Sequence, residues 1–88
     1  MSFEGMDPQA VRTFAGQLSS DADQIDSIIN TLTAQLHGLQ WVGSDATRFN
    51  SDWDGTYRPQ LHSVSNALRD AATVANANAA QQEQASAN

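Results

Sequence analysis

Between Val11 and Leu39 a large apolar residue returns every seven positions: Val11, Leu18, Ile25, Leu32 and Leu39. Phe14 and Ile28 form a second column, and Ala15, Ala22, Ile29 and Leu36 a third. The columns cover an arc of about 100°, the width of a stripe that faces a helical bundle and wider than a two-column coiled-coil seam. No stretch alternates with the two-residue period of a strand. Asp7 before Pro8 is a helix start, a carboxylate that caps free N–H groups and a proline whose missing donor costs nothing there. The spacing predicts one helix of about 30 residues, roughly 45 Å long.

A second helix follows. Gly38 suits a left-handed C-terminal cap, Gly43 is a second flexible position, and Ser44 or Asp45 can cap what comes next. Ala46, Phe49, Trp53, Tyr57, Leu61, Val64, Leu68, Ala71 and Ala75 keep a three- or four-residue spacing. Pro59 interrupts that run and deletes the bond to the Gly55 carbonyl, so a kink or one loosened turn is expected. Beyond Ala75 the large apolar residues stop. The expected organisation is an N-terminal extension (1–6), helix 1 (7–38), a turn (39–44), helix 2 (45–76, bent near Pro59) and a flexible tail (77–88).

Such a hairpin is short of core. Leu, Ile, Val and Phe make up 16 of 88 residues, near the level where chains become disordered. With no cysteine, neither a disulfide nor a thiolate zinc site can staple the chain. A partner subunit is the expected source of the missing core. The fold class is therefore all-α: an antiparallel two-helix hairpin that dimerises into a four-helix bundle. The candidate hairpin and dimer core is Val11, Phe14, Leu18, Ile25, Ile28, Ile29, Leu32, Leu36, Phe49, Trp53, Tyr57, Leu61, Val64 and Leu68.

Charge and motifs exclude several function classes. Ten acidic residues against four arginines give a net charge of −6, the wrong sign for nucleic acid or anionic membranes. No apolar run is long enough to insert into a bilayer, and the N-terminus has no basic, apolar secretory leader. Asn50 to Gly55 imitates half a calcium loop, but its twelfth position is Leu61 where a bidentate glutamate is needed. Asp21, Asp23 and Asp26 point in different directions on a helix. Asp21 falls in the second apolar column, which leaves open whether it sits at a bundle edge or meets an arginine. His37 and His62 lack a third metal ligand and a paired nucleophile. Ser44 is a capping serine without the nucleophile-elbow pattern, and no phosphate-binding glycine loop exists. The chain carries no enzyme signature, no metal site and no cofactor site.

Trp41-Val42-Gly43 stands midway along the chain, in the one expected turn, between two long amphipathic helices. With Phe49, Trp53, Leu61, Val64 and Leu68 continuing the seam, residues 7 to 83 resemble the WXG superfamily of small proteins exported by the type VII (ESX) system of Gram-positive bacteria. The resemblance implies a helical hairpin that pairs with itself or with a paralogue or the helical leader of a larger protein. It implies export without a cleaved signal peptide after a cytoplasmic stage, engagement with the type VII secretion ATPase, and action as a substrate or escort. The other reading is an intracellular adaptor that presents a larger toxin. The implied export signal joins Trp41 and Gly43 in the turn to a tail Tyr-x-x-x-Asp/Glu. Its acidic half falls on Glu83, but Ala79 occupies the tyrosine position. On sequence alone, Ala79→Tyr is expected to complete the signal.

Overall fold

A computed structural model describes residues 5–87, and the N-terminal part of the expected extension lies outside them. Helix α1 runs Pro8–His37, α2 Ser44–Asp52, and α3 Arg58–Ala87, with a five-residue π-helical turn, Trp53–Tyr57, joining the last two. Helix α1 packs antiparallel against α3 along most of its length, making a rod of 67 × 17 × 14 Å. Among the described residues there are helices and turns and no strand.

The start of α1 follows its sequence. Asp7 Oδ1 accepts from the backbone N–H groups of Gln9 at 3.0 Å and Ala10 at 3.5 Å, and Pro8 is the first helical residue. The helix ends differently from expectation. Gly38 stays right-handed at φ −85° and donates to Ala34 O and Gln35 O, a tightened last turn in place of a left-handed cap. The sharp change of direction falls instead on Gly43, at φ +112° and ψ −179°, a conformation essentially confined to glycine. Gly43 is itself the N-cap of α2, without side-chain help, so neither Ser44 nor Asp45 caps it. Its carbonyl accepts from both the amide and the hydroxyl of Thr47.

Pro59 is absorbed by one loosened turn. The Arg58 amide donates to Trp53 O, five residues back, and the wider turn relieves the clash that a proline ring makes with the carbonyl four residues before it. The extra residue also shifts the helical phase. The buried row of α3 becomes Ser65, Ala72 and Ala79, seven residues apart, with Leu61, Leu68 and Ala75 half-buried beside it. Tyr57, Val64 and Ala71, expected in the seam, turn outward and are exposed. On α1 the buried row is Ala15, Ala22 and Ile29. The seam is thus built mostly from Ala and Ser, whose small side chains let two helix axes approach closely.

The tail expected to be flexible is helical through Ala87. Its alanines do find something to bury: Ala79 is completely covered and Gln82 half-covered, because α1 begins early enough to pack along them. Arg12 and Glu83 form an ion pair that links the two arms near the open end of the hairpin.

Candidate functional site

The two edges of the hairpin have opposite chemistry. Along one edge, positions 12, 26 and 33 of α1 meet polar groups of the returning arm. Arg12 pairs with Glu83. Asp26 accepts from the fully buried Ser65 hydroxyl at 2.8 Å and from Arg69 at 2.6 Å, while Arg69 also reaches Asp23 at 2.8 Å. His62 Nδ1 stands 3.4 Å from Asp26. The Trp53 indole N–H donates to Thr33 Oγ1 at 2.9 Å, and Thr33 in turn donates to Ile29 O. The Ser65 hydroxyl and then the Arg69 guanidinium hold the Asp26 carboxyl below its ordinary range; Arg12 does the same for Glu83. The apolar columns hid this zipper. A polar column at 12, 26 and 33, matched by 62, 69 and 83, was the signal that could have revealed it.

The other edge is apolar and uncovered. Val11, Phe14, Leu18, Ile25, Ile28 and Leu32 along α1, and Leu39 just past its end, follow one another at three- and four-residue steps, broken only at Asp21 and Gln35. Phe14 is 59% exposed, Ile28 55% and Val64, on the α3 side, 50%. The fourteen candidate core residues therefore divide. Ile29 is buried; Val11, Leu18, Ile25, Leu36, Trp53, Leu61 and Leu68 are half-buried; Phe14, Ile28, Leu32, Phe49, Tyr57 and Val64 face outward.

At the turn end these outward groups converge. The Trp41 ring, 42% exposed, lies 5.5 Å from Phe49, which lies 6.4 Å from Tyr57. An open groove of about 690 Å³ beside them is lined by Leu32, Leu36, Leu39, Phe49 and Trp53 with Gln35 and Gly38. Trp41 and Gly43 thus sit together at one end of the rod. Glu83 lies at the other end, bonded to Arg12, so a single chain does not bring the implied export residues together. Position 79 faces the seam, and a tyrosine there would point into α1 and not out toward a receptor. The residues weighed for chemistry are dispersed: Asn50 bonds back to Ala46 O within α2, His37 is exposed at the end of α1, and among the described residues no cluster of His, Asp or Glu is arranged to hold a metal.

Residues 5–86 match the family model described as WXG100, proteins of 100 residues with WXG. The chain belongs to the WXG100 family. Neither the curated proteins nor the solved structures supply a match. Membership relates the chain to the small helical proteins of type VII secretion, and the Trp-x-Gly for which the family is named is Trp41-Val42-Gly43. Among the described residues no helix is long and apolar enough to cross a membrane.

Proposed function

We propose that this WXG100 protein is a non-enzymatic type VII secretion substrate or escort, acting through pairing and protein binding. The observation that carries the reading is the division of the hairpin into a polar, self-satisfied edge and an apolar, uncovered one. A monomer gains nothing from an exposed row of Phe14, Ile28, Leu32 and Val64, whereas a second hairpin laid on it completes a four-helix bundle. Trp41 serves recognition: a half-exposed ring tilted against Phe49 beside an apolar groove offers both a surface anchor and a place for a partner's side chain.

The tail points to the escort role. Glu83 is engaged by Arg12 and Ala79 is buried, so the tyrosine half of the export signal has to come from the paired chain, whose tail reaches the Trp41 end in an antiparallel dimer. Pairing brings in either another WXG protein or the helical leader of a larger one, and the secretion ATPase reads the composite end. Export is measured with and without the secretion ATPase for wild type and Trp41→Ala. The reading expects ATPase-dependent export that Trp41→Ala abolishes while helicity and pairing persist. Wild-type levels of export for Trp41→Ala would sink the recognition role.

A further inference from the structure

Asp21 is out of place on the open edge. The row Val11, Phe14, Leu18, Asp21, Ile25, Ile28, Leu32 alternates steps of three and four residues, as contact positions of a helix–helix seam do. Asp21 is its sole charged member, half-buried between apolar neighbours. Among the described residues its hydrogen-bond donor is Gln17 Nε2 of its own helix, at 2.8 Å. Three of the four arginines are engaged elsewhere, Arg12 with Glu83, Arg69 with Asp23 and Asp26, and Arg58 beside Asp54, and the fourth, Arg48, is exposed on α2 at the turn end.

Position matters as much as charge. Asp21 lies within two residues of the middle of Pro8–His37. Laying two such edges antiparallel about a two-fold axis, in full overlap, sets α1 along α1 of the second copy. The two helices then cross near their midpoints, and the two Asp21 carboxylates come within about one helical turn of each other. Both would be withdrawn from water with no cation nearby, and like charges in that setting repel strongly. Sliding the copies apart separates the carboxylates but uncovers Phe14 or Leu32 at the ends. The net charge of −6 per chain adds a diffuse repulsion of the same sign.

We propose that Asp21 selects the occupant of the open edge: a helical hairpin with a lysine or arginine near the middle of the helix that lies along α1, in preference to a second copy of this chain. The inference rests on the pairing proposed above and names its partner. A polar group at one seam position costs stability in the wrong pair and sets partner choice in the right one.

A charge-reversed copy supplies the probe. Wild type, Asp21→Lys, Asp21→Ile and an equimolar mixture of wild type with Asp21→Lys are compared by sedimentation equilibrium, with far-UV circular dichroism confirming that each is helical. The mixture is expected to form a 1:1 dimer at least about tenfold tighter than wild type or Asp21→Lys alone, and more salt-sensitive. Asp21→Ile is expected to self-associate at least about tenfold more tightly than wild type. Wild type that self-associates as tightly as Asp21→Ile would overturn the selector and leave edge pairing standing. A mixture no tighter than wild type alone would overturn the cationic partner. If every sample, Asp21→Ile included, stays monomeric and helical, the pairing reading fails with it.

Discussion

At the residue scale, the two ends of the Trp-x-Gly triplet do different work. Gly43 is required by the backbone: at φ +112° with an extended ψ a Cβ is strained whatever space surrounds it, and none of its neighbours comes within 4 Å. Gly43→Ala should therefore cost about 1–3 kcal/mol, read from thermal melts, while Gly55→Ala, at an open right-handed position, should cost nothing or stabilise slightly. Trp41 is only half-covered, so Trp41→Ala should cost less than the roughly 3–5 kcal/mol of a buried tryptophan. A loss of that full size would make it a structural plug. Ser65 is the opposite case. It is fully buried and donates to Asp26 across the hairpin, so Ser65→Val, which removes that donor and leaves Asp26 to Arg69, should destabilise by about 1 kcal/mol in a chemical melt.

At the element scale, the π-turn decides which face of α3 meets α1. The proline and the seam both favour it, the one by needing a wide turn and the other by needing Ser65, Ala72 and Ala79 inward. Pro59→Ala should thus shift the melting temperature by only a few degrees, far short of the roughly 3 kcal/mol of a proline in a regular helix interior. A gain of that full size would show the turn to be imposed by the proline alone. The polar edge titrates. Asp26 and Glu83 ionise below their ordinary range in the hairpin, so their contribution is complete above about pH 5 and fades as acid protonates them below about pH 4. Hairpin melts should fall over that window, and Asp26→Asn should flatten part of the fall. The exposure of these pairs keeps the effect modest.

At the scale of the whole molecule, the tail expected to hang free is the outer end of the seam. A tyrosine at 79 has no room beside α1, and overpacking of this kind costs about 1–3 kcal/mol. Ala79→Tyr should therefore loosen the open end, measured as faster amide exchange around Ala79 and Gln82, without raising export of the chain by itself. The expectation of a completed signal treated the 79/83 face as free, and the ion pair of Glu83 with Arg12 shows which way that face points.

The seven-residue columns and the Asp7-Pro8 start determined by themselves that α1 is one long helix. They also determined that its stripe is too broad for a lone seam, because helix period and capping are local properties of the chain. Trp41-Val42-Gly43 between two such helices was enough to place the turn and the family. Which apolar column faces α3 was not local. It depended on a single extra residue in the turn at Trp53–Tyr57, which rotates everything after it and puts Ser65, Ala72 and Ala79 inside with Tyr57 and Val64 outside. The polar edge was decided in the same way. Asp26 with Ser65, and Arg12 with Glu83, are far apart in sequence, and only the packed register of two antiparallel helices brings their hydrogen-bonding groups within reach.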